Sequence, residues 1–148
     1  MREMALERGI SIIELGREAE HDGWVIDRIL DERQKRLWET EDNFIIDGRL
    51  AFHFIPQAMK IFLRVESHEA ARRIFRDETR SGVETHIDIG ETAQNIEIRR
   101  ESENARYMKY YGIAIYDMSL YDIVIDTTNI SAEAVFTLVM ERLSKYLQ

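Results

Sequence analysis

The run Asn43-Phe44-Ile45-Ile46-Asp47-Gly48-Arg49 carries apolar residues straight into a carboxylate, a glycine and a guanidinium. Phe44–Asp47 reads as a buried strand of a parallel sheet, because a strand covered on both faces shows no alternation. Side chains that follow such a strand emerge at the carboxyl edge of the sheet, where open α/β folds hold ligands. Gly48 permits a tight turn or a close approach of the main chain. Arg49 offers a planar fork suited to phosphate or carboxylate. The same tripeptide also suits a plain strand-to-helix turn whose arginine pairs with a surface acid. Further arginines gather at Arg72, Arg73, Arg76 and Arg80, then at Arg99, Arg100 and Arg106. They can surround a compact anion or form a solvated helix face.

Composition narrows the classes. The 148 residues suffice for one domain with its own core, and a net charge of −8 speaks against general nucleic-acid binding. No apolar run reaches the roughly 20 residues of a membrane span, and no secretory pattern opens the chain. The absence of cysteine removes disulfides and thiolate metal sites and suits a cytoplasmic protein. His53 has no second ligand at metal spacing and reads as a packed histidine.

The elements that must position the arginines follow from periodicity and caps. Met1–Arg8 is a short helix stopped by Gly9, and Ser11-Ile12-Ile13-Glu14 is a capping box that starts a second helix to about Glu20. Asp22-Gly23 breaks it. A longer helix from Trp24 buries Ile26, Ile29, Leu30 and Leu37. Asp27 and Asp31, one turn apart, either meet a ligand or pair with Arg28 and Lys35 in a solvated stripe. Met59–Val65 is a second strand with Ile61, Leu63 and Val65 inward. Ser67 is expected to cap a helix with Ala70, Ala71, Ile74 and Phe75 on its inner face. Ser81–Gly90 reads as a loop or flap. A polar helix from about Glu91 to Tyr110 lines up Arg99, Ser102 and Arg106 and stops at Gly112. Tyr121–Asp126 is a third strand. Ser131 caps a last helix with a core stripe of Val135, Leu138, Val139 and Leu143. Strands separated by helices indicate βαβ units in an α/β fold with a parallel sheet.

Taken together, the motifs resemble the short, archaeal-type cytidylate kinases among nucleoside monophosphate kinases. The likeness rests on Arg2-Glu3-Met4-Ala5 with Glu7-Arg8-Gly9, on Ile26-Asp27-Arg28 and on Phe44-Ile45-Ile46-Asp47-Gly48-Arg49-Leu50-Ala51. It continues through Ile98-Arg99, Ser102, Arg106-Tyr107, Tyr111-Gly112-Ile113 and Asp117 to Thr127. The resemblance implies a three-layer kinase-like fold that phosphorylates CMP or dCMP with ATP and Mg²⁺. Within it, residues 1–40 supply acceptor-binding helices, 41–75 and 96–148 the core, and 76–95 a lid. Arg2, Asp27, Asp47, Gly48 and Arg49 inherit substrate binding; Arg73, Arg99 and Arg106 the transferring phosphoryl group; Arg76 the ATP side. Positive field and positioning are what phosphoryl transfer asks of a protein.

One departure is large. No glycine of the sequence opens Gly-x-x-x-x-Gly-Lys-[Ser/Thr], the loop whose amides cradle ATP phosphates. The chain therefore reads as the family's domain without its first strand-loop-helix unit, inactive alone or a nucleotide- or partner-binding remnant. An adenylate-type kinase with another acceptor base is a further alternative. The absent strand would lie between the Phe44 and Met59 strands, so the expectation is a marginal fold or self-association through unpaired edges.

Overall fold

A computed structural model describes residues 2–21, 25–77 and 88–146, with the side chain of Arg2 outside that description. Three helices open the chain: α1 (Arg2–Arg8), α2 (Ile12–His21) and α3 (Val25–Thr40). Gly9 ends α1 with φ +65°, the left-handed conformation that glycine adopts without Cβ strain. The capping box at α2 is reciprocal. The Glu14 amide donates to Ser11 Oγ at 3.1 Å, and the Ser11 amide donates to Glu14 Oε2 at 2.8 Å. Met4, Ala5, Leu15, Ala19 and Ile26 from the three helices form one apolar cluster, with Ile10 and Leu30 against it. The Asp22-Gly23 break and Trp24 lie outside the described residues.

The short helix α4 (Ala51–Phe54) is followed by strand β1 (Ile61–Arg64), helix α5 (Ser67–Arg76) and the long helix α6 (Ile89–Tyr111). A 3-10 turn (Met118–Leu120), strand β2 (Ile123–Asp126) and helix α7 (Ala132–Tyr146) complete the order. β1 and β2 pair in parallel, Ile61 opposite Ile123 and Arg64 opposite Asp126. The result is a mixed α/β fold with a parallel sheet that has two strands among the described residues. Helix α6 packs along α5 and also reaches α2, so it joins the sheet region to the opening helices. A second apolar cluster, Leu50, Tyr107 and Ile115, fixes the segment after Arg49 against the end of α6. No described helix is long and apolar enough to cross a membrane.

Several sequence expectations need correction. Phe44–Asp47 is not a strand: it runs without regular structure, and Ile45 is 100% exposed. A strand exists through its ladder of hydrogen bonds, and among the described residues the only ladder joins β1 and β2. β1 and β2 are each shorter than expected. Leu63, expected inward, is exposed, while Phe62 packs against Tyr121 and Tyr116 at 4.8 and 6.3 Å between ring centroids. Ser67 does not cap α5. Glu66 holds the N-cap position without a side-chain bond, and Ser67 Oγ instead donates to Glu97 and accepts from Arg100 Nη1 at 2.8 Å.

At the end of the presumed flap, Asp88 caps α6 by accepting from the Glu91 amide at 2.8 Å, so Ile89 and Gly90 are helical. The rest of that segment, and Arg80, lie outside the described residues. Gly112 stops α6 at φ +67° as its spacing suggests. Ser131 Oγ accepts from the Ala134 amide at 3.2 Å, as a cap for α7 should. Yet Val135, Leu138, Val139 and Leu143 are only half-buried and α7 buries no residue. A two-stranded sheet offers too little apolar face to cover an amphipathic helix.

Candidate functional site

Helix α6 is polar on two opposed faces, which explains its weak hydrophobic pattern. Arg99, Ser102, Glu103 and Arg106 recur at spacings of three and four and lie on one face. Glu97, Arg100, Glu101 and Asn104 recur in the same way on the other. The first face meets α3 and the turn that carries Arg49.

The meeting is electrostatic. Arg49 Nη1 forms an ion pair with Glu103 Oε2, whose side chain is only 6% exposed, while Arg49 itself reaches solvent. Arg99 Nη2 approaches the other oxygen of Glu103 at 4.0 Å. Arg106, 6% exposed, donates from Nε to Asp27 Oδ2 at 2.7 Å and from Nη1 to Ser102 Oγ at 2.5 Å. Its Nη2 is buried with no hydrogen-bond partner among the described residues. Three guanidiniums thus surround the carboxylates of Asp27 and Glu103. One turn along α3, buried Asp31 accepts from the Tyr111 hydroxyl, and Tyr111 packs edge-on against Phe54 and against the His53 ring.

The field within this cluster shows in the acid–base behaviour of its members. Burial, with the negative charge of Asp27 adding to it, raises the Asp31 carboxyl to about 6; the bond from Tyr111 works against the rise. Burial likewise raises the Tyr107 phenol to about 12, helped by Asp27 and opposed by Arg49 and Arg106. Asp27, Arg49, Arg106 and Asp31 therefore all act on one phenol.

Of the residues expected to act, the structure brings Asp27, Arg49, Arg99 and Arg106 together. Asp27 and Asp31 are buried partners rather than a solvated stripe. Asp47 and Gly48 are exposed on the approach to Arg49. A Cβ on Gly48 would lie 2.9 Å from Gln34 Oε1, the movable end of a long side chain, so the space there does not by itself require glycine. Arg73 is not part of the cluster interactions. It pairs with Glu69 and donates from Nη2 to the Thr127 and Thr128 carbonyls at 2.7 and 3.2 Å, bracing the turn after β2. Arg76 ends α5 at an exposed position. Arg2 begins α1, its side chain outside the described residues. Sequence reasoning passed over Glu103, although a carboxylate four residues after one arginine and three before another on a helix is a legible signal. No group of three or more His, Asp or Glu among the described residues is placed to hold a metal ion.

A cleft of about 890 Å³ opens on the other polar face of α6, bordered by Phe62, Arg64, Arg100, Asn104, Tyr116 and Asp126. Arg49, Arg99 and Arg106 do not line it. The cleft lies over an uncovered sheet face, whereas the guanidinium cluster is a filled, charged junction; chemistry rather than volume makes the latter the candidate.

Comparison with known proteins identifies the family. A family model described as cytidylate kinase-like matches residues 1–129. The chain is 36% identical over 144 residues to a protein named cytidylate kinase from Methanocella arvoryzae, covering 97% of this chain and 78% of that one. A cytidylate kinase from Methanothermobacter thermautotrophicus is 38% identical over 133 residues, 90% of this chain and 78% of the relative. One from Thermoplasma volcanium is 37% identical over 148 aligned positions, 97% of this chain and 74% of the relative. No solved structure gives a significant match. A family match over most of the chain, with relatives above 30% identity along most of their own length, is decisive: the chain belongs to the cytidylate kinase-like family.

Proposed function

We propose that the chain is the acceptor-binding and phosphate-neutralising part of a nucleoside monophosphate kinase that transfers the γ-phosphoryl group of ATP to CMP or dCMP. The observation that carries the reading is the convergence of Arg49, Arg99 and Arg106 on one junction, with one guanidinium nitrogen held in place but unpartnered. Arg2 and Arg49, with Asp47 and Gly48 at the turn, bind the acceptor nucleotide. Arg99 and Arg106 oppose the charge of the phosphoryl group in flight, and Arg106 also faces the acceptor phosphate that receives it. Arg73 acts from the turn after β2, and Arg76 serves the ATP side. The matching cytidylate kinase names favour CMP over an adenylate-type acceptor.

In this reading residues 1–40 are acceptor-binding helices, 41–75 and 96–148 the core, and 76–95 a lid that excludes water as it closes. The fold is that of a three-layer P-loop kinase, in which a strand-loop-helix unit packed beside β1 contributes the donor site. The residues described do not fit ATP phosphates or Mg²⁺ by themselves. The amide-lined loop that ATP requires is not among these 148 residues, and no metal-ligating group is assembled among the described ones. No step is assigned to the donor here, and phosphoryl transfer is not expected of the 148 residues alone.

The test is equilibrium binding of CMP to the chain. Arg49→Ala should weaken it at least about tenfold, since a charge-assisted bond to phosphate contributes roughly 1.5–3 kcal/mol. Unchanged affinity would remove Arg49 from the site.

A second expectation concerns the sheet. Ile45, Leu63 and Val124 are exposed, and among the described residues β1 is hydrogen-bonded in the sheet only to β2. An apolar strand with a free edge recruits another chain. Sedimentation of the 148-residue polypeptide should therefore show concentration-dependent association. A monomer across the micromolar range, melting sharply and independently of concentration, would refute it.

A further inference from the structure

We propose that Asp27 is a positioning residue that, together with Ser102, clamps Arg106 so that a single guanidinium nitrogen, Nη2, is presented to a phosphate oxygen of the acceptor. The inference deepens the proposed function and rests on it. The resemblance alone would put Asp27 on the nucleoside side of the pocket; its contacts point elsewhere. Asp27 is 2% exposed and accepts a hydrogen bond from Arg106 Nε at 2.7 Å. Ser102 Oγ accepts one from Nη1 at 2.5 Å. Two of the three guanidinium nitrogens are thereby fixed from different helices, α3 and α6, and a planar group held at two points has no rotational freedom left.

The third nitrogen, Nη2, is buried and unpartnered among the described residues. Such an orphan costs free energy in the free protein, which an arriving anion restores. Because Asp27 cancels most of the Arg106 charge, the clamp supplies direction more than net attraction. Arg49, exposed at its outer end, supplies the attraction. Arg49 is held by Glu103, so a phosphate must displace or share that carboxylate, whereas Arg106 need not release Asp27 to bind. Attraction and aim are thus divided between two arginines.

The experiment compares CMP with cytidine, which lacks the phosphate, as titrants of the same preparations: the unaltered chain, Asp27→Asn, Ser102→Ala and Arg49→Ala. Asp27→Asn leaves a buried guanidinium without its counter-charge and can unfold the chain. Ser102→Ala removes the second clamp point without burying an unpaired charge, so the proposal stays testable if the first variant fails. The expected result is a loss of about tenfold in CMP affinity for each clamp variant, with cytidine affinity unchanged. A merely structural role would lower both affinities together, and that outcome overturns the proposal. So does full CMP affinity in both clamp variants while Arg49→Ala loses it; this would leave the proposed function standing. Equal binding of CMP and cytidine by the unaltered chain would overturn the proposed function itself, and the clamp with it.

Discussion

Arg106→Ala is expected to lower the unfolding free energy by about 3–5 kcal/mol, the cost of leaving one member of a buried ion pair without the other. Both side chains of the Arg106–Asp27 pair are almost inaccessible, at 6% and 3%. Truncating the arginine leaves the Asp27 carboxylate in a low-dielectric junction with Asp31 one turn away. Two acids then share a site built for an acid and a base. Total stabilities of single domains are only about 5–15 kcal/mol, so the variant should sit at the edge of unfolding. The Arg64–Asp126 pair is a useful control. It is close, at 2.5 Å, but its side chains are 62% and 47% exposed. Arg64→Ala should cost at most about 1 kcal/mol, as solvent-exposed pairs do. Denaturant midpoints for both variants check the contrast. An apolar double replacement, Asp27→Leu with Arg106→Met, should recover most of the loss, because well-packed apolar side chains often match a buried ion pair in stability. Equal, small effects at the two pairs would mean that the α3–α6 junction is wet and that its buried charge has no special cost.

Asp31→Asn should stabilise the protein above neutrality and leave it nearly unchanged in mild acid. The folded-state value of about 6 lies well above the ordinary carboxylate range. A group whose folded value exceeds its unfolded value holds its proton more tightly when folded, so stability falls as pH rises between the two. For Asp31 that window runs from about pH 4 to just above pH 6. Below it, the carboxyl is neutral in both states. Above it, a charged carboxylate must stay buried beside Asp27. Asparagine keeps an acceptor for the Tyr111 hydroxyl without the charge. The expected gain at pH 7.5 is about 4–8 °C in Tm, the response of a domain this size to roughly 2 kcal/mol. Glu69 works in the opposite sense in a lower window. Bonds from Arg72 and then Arg73 hold it down to about 2, so its contribution is complete above pH 4.5 and disappears as pH falls through 2. The two effects therefore separate on the pH axis. Thermal melts at pH 4.5, 6 and 7.5 are the check, and a Tm difference between variant and parent that does not change with pH would contradict it.

What could be read in the sequence divides along physical lines. Most local signals held. The Ser11–Glu14 capping box, the left-handed stops at Gly9 and Gly112 and the Ser131 cap depend on few neighbours, whereas the hydroxyl of Ser67 is engaged by α6 and does not cap. Signals that presuppose a partner held for the parallel pairing of β1 and β2 and failed elsewhere. Phe44–Asp47 has the composition of a covered strand, but composition cannot supply the neighbour that would make it one. Leu63 and the α7 stripe fail for the same reason, since apolar periodicity says which face wants burial and not whether anything covers it. At the site, the arginines were visible as types and spacings. Their counter-charges were harder to find. Asp27 and Asp31 looked like a solvated stripe until the fold carried α6 past them, and Glu103 is defined by Arg49, 54 positions away in the chain.

The most direct measurement is the position of the phosphorus atom of CMP in crystals of the chain grown with the nucleotide. The phosphate should sit within hydrogen-bond reach of Arg49 and of Arg106 Nη2, with Arg99 alongside and Asp27 still holding Nε. A phosphate found in the cleft beside Phe62 and Tyr116, or anywhere that leaves Arg49 on Glu103 and Arg106 Nη2 untouched, would contradict the assignment of this junction as the nucleotide site.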